Sequence, residues 1–311
     1  MKLKSLSIVV PIFNEAESII PLCDQLTENL KVSRTKYEII LVNDGSNDGS
    51  QEKIDACKKT WQNVVGLRLK RNLGKAAALQ LGFAKAKNEV IVTMDGDLQD
   101  DPKELKKLLV KLDLGYDLVI GWKKNRQDSF TKRLSSRLFN LITNLIFRLN
   151  LHDYNSGYKA FRAESIKRIR FYGELHRFIP ILVADKGYLV TEVPVHHRKR
   201  KFGKSKYGSG RFFHGLFDLT TVLFLTKFRF RPLHLFGYVG LVFFLLGTIG
   251  GGYLTWLKFV YGQAIGQRPL LLLSSLLIIV GIQIGITGLL GELIVATFLK
   301  DEHQELSETH Q

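Results

Sequence analysis

Short, nearly continuous apolar runs alternate with amphipathic stretches over the first two hundred residues. Leu6–Val10, Tyr37–Asn43, Val64–Leu69, Val90–Met94 and Asp117–Gly121 read as strands. Between them, Glu15–Leu30, Ser50–Trp61, Gly74–Lys87 and Pro102–Leu114 carry helical spacing, with Ser50 expected as a cap and Pro102 at a first-turn position. Apolar strands separated by helices predict a mostly parallel sheet covered on both faces, with ligands bound outside the carboxyl ends of its strands. The polar signatures fall at those ends: Asn14-Glu15 after the first strand, Asn43-Asp44-Gly45-Ser46 after the second, Asp95-Gly96-Asp97 after the fourth.

The pattern then changes. Phe130–Leu149 has amphipathic helical spacing, Leu189–Val195 reads as a further strand, and Phe212–Phe230 predicts a helix lying in a membrane interface. No charge occurs from Leu235 to Leu257 or from Pro269 to Gly291. A bilayer core of about 30 Å needs roughly 20 helical residues, so both stretches are long enough to span. The resulting domain plan is a globular region over 1–207, a juxtamembrane amphipathic segment over 208–231, membrane helices over 232–258 and 269–299, and a tail over 300–311. Lys227, Arg229 and Arg231 flank the first span, whereas the connecting loop carries only Lys258 and Arg268. This asymmetry predicts a multi-pass protein of the plasma (inner) membrane with its globular region in the cytoplasm. Glu292, near the inner end of the second span, reads as a snorkelling carboxylate or, alternatively, a buried functional one.

Charge sharpens the picture. With 45 Lys+Arg against 29 Asp+Glu the 311-residue chain carries +16, which points to a polyanionic partner: nucleic acid, a phosphate-bearing substrate or an anionic membrane. From Val193 to Phe217 there is no acidic residue, and seven Lys or Arg side chains, Arg198 and Arg200 among them, crowd the interval. Such a loop either adheres to anionic headgroups or also receives a phosphate. No aromatic-studded basic face or nucleic-acid reader motif accompanies it, so nucleic acid is not expected. Gly203-Lys204-Ser205 falls short of a P-loop because Arg198 stands where the first glycine belongs. His196-His197 has no companion at metal-ligand spacing and reads as a pair of polar side chains at the surface. Cys23 and Cys57 are expected as reduced core thiols. The opening residues offer no signal peptide, since the apolar run is only Leu6 to Val10.

Asp95-Gly96-Asp97 is the sharpest chemical signal. Residues i and i+2 at a strand's end share a side, so two hard carboxylates can face one Mg²⁺ or Mn²⁺, with Gln99 able to join or orient the site. A solvated acidic turn is the plain alternative; an EF-hand is excluded by Gln99 and Asp100. The segments from Val9 to Glu15 and from Leu41 to Gly49, with Asp95–Pro102, resemble the family-two glycosyltransferases of GT-A fold. More closely, the chain resembles the polyprenyl-phosphate glycosyltransferases, including dolichyl-phosphate mannosyltransferase and bacterial bactoprenol glucosyltransferase. Asn155-Ser156-Gly157-Tyr158-Lys159, His176-Arg177-Phe178, Lys186-Gly187-Tyr188, Glu192-Val193-Pro194-Val195 and Phe202–Tyr207 match their later signatures.

The resemblance implies an α/β, GT-A type Rossmann-like domain followed by interfacial helices and two membrane helices. It also implies that Pro11, Asn14, Glu15 and Asp44 meet the nucleotide-sugar, that Asp95, Asp97 and Gln99 hold the metal, and that Lys123, Lys132, Arg133 and Arg200 meet phosphates. Lys123 stands where relatives often carry arginine, so a point charge replaces a bidentate fork. Asp153 is a candidate for orienting acceptor or sugar. The implied reaction is inverting transfer of a sugar, with glucose from UDP-glucose as first choice, to undecaprenyl phosphate. A GDP-mannose-dependent enzyme, a processive polysaccharide synthase lacking its usual acceptor motif, and an inactive membrane-tethered nucleotide-sugar-binding scaffold are the competing readings. Two spans leave room for packing between protomers of a homo-oligomer.

Overall fold

The computed structural model describes residues 5–32, 36–124, 130–198 and 211–308. The chain divides into two compact units, Met1–Val222 and Leu223–Gln311. In the first, the elements run β1 (Ser5–Ile12), α1 (Ala16–Val32), β2 (Lys36–Asn43), α2 (Ser50–Thr60), β3 (Val64–Arg68), α3 (Lys75–Lys85) and β4 (Val90–Thr93). Then follow α4 (Leu105–Asp113), β5 (Leu118–Trp122), α5 (Phe130–Phe147), β6 (Lys159–Arg162), α6 (Ala163–Lys167), α7 (Ile179–Asp185), β7 (Val190–Pro194) and α8 (Arg211–Lys227), whose end crosses into the second unit. The alternation expected from the sequence is present, with element ends shifted by up to three residues.

The seven strands among the described residues form one sheet in the order β3-β2-β1-β4-β6-β5-β7. β1 pairs in parallel with both β2 and β4, and β5 with β7. Ile8, Val9 and Val10 are fully buried because α-helices cover both faces of this part of the sheet. On α4, Leu105, Leu108, Leu109 and Leu112 recur at helical spacing and are all buried. Cys23 and Cys57 are free and buried, and their thiols touch where α1 packs on α2. That contact, with burial, pushes the Cys23 thiol far above its ordinary range.

One strand escaped the sequence pattern. β6 lies between β4 and β5 and is antiparallel to both. It spans only four residues, Lys-Ala-Phe-Arg, with a basic residue at each end, so it carries too little apolar period to be read as a central strand. Its neighbours bury Lys159 nonetheless.

Ser50 is not the cap of α2. Gly49 occupies that position with φ 86°, and Ser50 is the first helical residue. Its hydroxyl and amide both donate to Asp48 Oδ1, at 2.5 and 3.1 Å, so the carboxylate serves as the acceptor expected of the serine. Pro102 does open a 3₁₀ turn, Pro102–Glu104, where Asp101 accepts from the Lys103 amide at 3.0 Å.

In the second unit, α9 (Pro232–Tyr261) packs on α10 (Pro269–Glu308). Pro232–Tyr261 and Pro269–Thr297 are each long and apolar enough to cross a membrane. Their backbones meet at glycines: a Cβ on Gly240 would lie 2.6 Å from the Gly281 carbonyl oxygen, and one on Gly247 2.6 Å from that of Ser274. α10 continues to Glu308, beyond Lys300, where the sequence suggested a separate tail. Glu292 has a partner that the sequence did not reveal. Its carboxylate accepts from the Leu233 amide at 3.2 Å, satisfying one of the donors left open at the start of α9.

Candidate active site

The register of β1 against β2 and β4 pairs Ile12 with Asn43 and Val9 with Thr93, which brings the carboxyl ends of all three strands to one edge. The strand order reverses between β1 and β4, the place where open α/β sheets bind ligands. A cavity of about 290 Å³ opens there, lined by Pro11, Glu15, Asp44, Lys75, Asp95 and Asp97 among others.

The loop after β1 is locked to the loop after β2. Asn14 takes the left-handed conformation at φ 52°, tolerated because its short amide bonds locally. Its amide donates to Ser46 Oγ at 3.0 Å, and its side-chain oxygen accepts from the Asn47 amide at 3.0 Å. The Glu15 amide donates to Ser50 Oγ at 3.2 Å and the Ala16 amide to Asp48 Oδ2 at 3.0 Å. Burial pushes the Asp48 carboxyl up, but these donors more than offset it and the net shift is downward.

Asp44 fixes the next loop. Its two oxygens accept from the Leu73 and Gly74 amides at 2.8 and 3.0 Å, which sets the start of α3. Burial raises its carboxyl above the ordinary range despite those two bonds. Gly45 is required here. Its φ is 69°, and a Cβ would come within 2.5 Å of the Arg71 carbonyl carbon and the Asn72 amide nitrogen.

Asp95 follows β4 and forms an ion pair with Lys75, the first residue of α3. From the other side Gly157 approaches so closely that a Cβ there would lie 2.5 Å from Asp95 Oδ2. Burial pushes the Asp95 carboxyl up, Lys75 and Lys123 pull it down, and the net shift is downward. Asp97 is buried, and its Oδ1 accepts from the Gln99 amide at 3.1 Å.

Of the residues singled out from the sequence, Pro11, Glu15, Asp44, Asp95 and Asp97 line the one cavity. Asn14, Gln99, Lys123 and Asp153 do not. Asn14 is the loop brace just described. The Gln99 side chain donates to the Arg198 carbonyl at 3.3 Å, while the Arg198 amide donates to Gln99 at 2.8 Å. Lys123, expected at phosphates, is buried against Asp100 at 3.0 Å. Burial works against both charges, yet each holds the other ionised: Asp100 lies well below the carboxylate range and Lys123 above its own. His197, expected as a surface residue, completes this group 3.6 Å from Asp100. Asp153 is buried and accepts from the Asn155 amide at 3.2 Å, and its charge is felt by both Lys123 and Lys159. Lys132 and Arg133 fall on α5, but their side chains lie outside the described residues, as do Arg200 and Phe202–Tyr207.

Lys75 and Glu174 line the cavity without having been anticipated. Lys75 was foreshadowed only by Gly74-Lys75 opening a helical run. Glu174 comes from a 3₁₀ segment, Gly173–Phe178, far along the chain, and pairs with Arg177. A second, smaller cavity adjoins the first, lined by Lys75, Asn155, Ser156, Lys159, His176 and Arg177 among others. Burial and the nearby Lys75 lower Lys159 to about 7 and His176 to about 3.

No group of three or more His, Cys, Asp or Glu side chains converges as a metal cage among the described residues. Two hard carboxylates on the rim of an open cavity suit a cation that keeps waters and takes further oxygens from a phosphate-bearing ligand.

A sequence model described as glycosyl transferase family 2 matches residues 7–170. The chain is 38% identical over 304 residues to a dodecaprenyl-phosphate galacturonate synthase of Rhizobium johnstonii, covering 96% of this chain and 89% of that protein. It is 35% identical over 294 residues to an undecaprenyl-phosphate 4-deoxy-4-formamido-L-arabinose transferase of Yersinia pestis, covering 94% and 88%. In fold it is similar to glucosyl-3-phosphoglycerate synthase from Mycobacterium tuberculosis in complex with Mn²⁺, UDP and phosphoglyceric acid. The TM-score is 0.57 at 18% identity, over 71% of this chain and 78% of that one. The architecture is the GT-A type.

Proposed function

The chain belongs to glycosyl transferase family 2, and on that premise we propose that it transfers a sugar from a nucleoside diphosphate to a polyprenyl phosphate at the membrane surface. The observation that carries this reading is one cavity lined by Asp44, Lys75, Asp95 and Asp97, in a chain that also holds two membrane-length apolar helices. Galacturonate and formamidoarabinose, the sugars in the names of the two relatives, stand ahead of the glucose expected first from the sequence.

Pro11, Glu15 and Asp44 receive the nucleoside, with Asn14 holding their loops together. Asp95 and Asp97 hold a Mg²⁺ or Mn²⁺, with Gln99 orienting their loop. When bound, that cation supplies positive charge where the departing nucleoside diphosphate becomes negative. Lys75 adds a second, mobile positive charge on the same side. The acceptor phosphate is already largely dianionic near pH 7, its second pKa being about 6, so its oxygen needs no strong general base. Direct displacement inverts the anomeric carbon, and Asp153 orients the incoming group through Lys123 and Lys159. Lys227, Arg229 and Arg231 beside the first apolar helix favour a cytoplasmic globular unit.

The test incubates membranes bearing the chain with undecaprenyl phosphate and radiolabelled UDP-galacturonate, UDP-4-deoxy-4-formamido-L-arabinose, UDP-glucose or GDP-mannose. The expected result is a chloroform-soluble, mild-acid-labile product from one donor, reduced on the order of 10²–10³-fold in Asp97→Ala. No lipid-linked product from any donor overturns the proposal.

A further inference from the structure

Lys75 occupies a crossing point between the two cavities. The chain reaches it through Leu73 and Gly74, whose amides are held by Asp44, so its backbone is fixed by a residue of the nucleoside wall. Its ammonium pairs with Asp95, yet its side chain is a quarter exposed to the open cavity. Behind the carboxylate there is no room: Gly157 closes that side to the point where no Cβ would fit. Asp95 is therefore clasped between a movable cation and immovable backbone. The reach of the Lys75 charge is visible beyond Asp95, since it also disfavours the charged forms of Lys159 and His176.

We propose that Lys75 is a positioning residue that holds Asp95 in the donor-free site and releases it to an entering diphosphate, making divalent cation and nucleotide bind as a coupled pair. This rests on the reading of Asp95 and Asp97 as the cation-holding carboxylates. A carboxylate already neutralised by an ammonium attracts a metal ion weakly. A diphosphate changes both sides of that competition: it offers the ammonium new oxygens and gives the metal ion further hard ligands. Each ligand then favours the other by the same factor. Lysine suits the task because it is a compact charge on a flexible stem, able to turn from one partner to the next, where a planar arginine fork would clamp. Its place as first residue of α3, an 11-residue helix, also sets it at the helix end whose dipole favours an anion.

The experiment titrates the full-length chain in detergent micelles with Mn²⁺, following the free-ion electron paramagnetic resonance signal with and without UDP. In the wild type, UDP tightens Mn²⁺ binding by roughly 5–150-fold. In Lys75→Met, Mn²⁺ alone binds about tenfold tighter, UDP binds more weakly, and the coupling shrinks by about the same factor. Lys75→Arg keeps Mn²⁺ alone weak. Lys75→Gln serves as a second neutral variant, and melting temperatures establish that each variant is folded. Unchanged Mn²⁺ affinity in both neutral variants, with wild-type coupling to UDP, overturns the inference while leaving the cation reading standing. Absence of Mn²⁺ binding to the wild type even with UDP overturns that reading and this inference with it.

Discussion

On the side of the cavity built by the loops after β1 and β2, neutral groups do most of the bracing: Asn14, Ser46, Asn47 and Ser50 interlock, with Asp48 as shared acceptor. On the side built by the loop after β4, charges do it: Lys75 with Asp95, Lys123 with Asp100, Arg198 with Asp101 at 2.6 Å. The two sides suit different tasks. A hydrogen-bonded frame fixes a shape and responds little to salt or to arriving ions. A frame of ion pairs stores charge that a ligand can redirect, and it is correspondingly sensitive to pH and to the loss of one partner.

Breaking the charged side at its most buried point has the largest expected effect. Asp100→Asn leaves the Lys123 ammonium buried without its counter-ion, and a loss of about 3–5 kcal/mol follows in thermal or denaturant unfolding of the solubilised chain. Adding Lys123→Met recovers most of that loss, whereas an equally low double variant would mean that the pair is not what holds this side together.

A smaller effect comes from acid. His176 is held neutral at about 3 by burial and Lys75, whereas the unfolded chain binds a proton at its ordinary 6.5. The unfolded state therefore takes up more protons between those values, so stability is full above about 6.5 and falls by a few kcal/mol as the pH drops toward 3. In His176→Gln, melting temperature against pH is flatter over that window. An unchanged slope would assign acid sensitivity to the carboxylates alone.

The smallest expected effect tests the hydrogen-bonded side. Ser50→Ala removes the donor to Asp48 and the acceptor for the Glu15 amide, and costs about 1 kcal/mol. The corresponding melting shift is the same at low and high salt. A salt-dependent shift would erase the distinction between the two sides.

The parallel half of the fold and the loops that line the cavity after β1 and β2 were legible because each strand and its trailing polar loop are contiguous in sequence. Asp44, Asp95 and Asp97 announce themselves at strand ends. Lys123 was legible as a charge, but its burial against Asp100 depends on tertiary packing. Ser50 was misread as a cap because a capping serine and an acceptor aspartate two residues earlier give the same local pattern. β6 and Glu174 were hidden for a different reason: each enters from a distant part of the chain, and a four-residue basic-ended strand has no period to betray it. Glu292 was read by depth in a bilayer, and its partner, the Leu233 amide, is a backbone group that composition does not reveal.

The antiparallel run of β6 has a consequence for how the protein is made. β5 pairs only with β6 and β7, so it has no place in the sheet until residues 159–162 arrive. During synthesis the first four strands can associate as they emerge, but the central gap closes late and through sequence-distant partners, a slow step for a folding chain. Gly157, which presses on Asp95, rides immediately ahead of that strand. A nascent chain thus acquires the hydrogen-bonded wall of the cavity early and its charged edge only when the last third of the globular unit has left the ribosome.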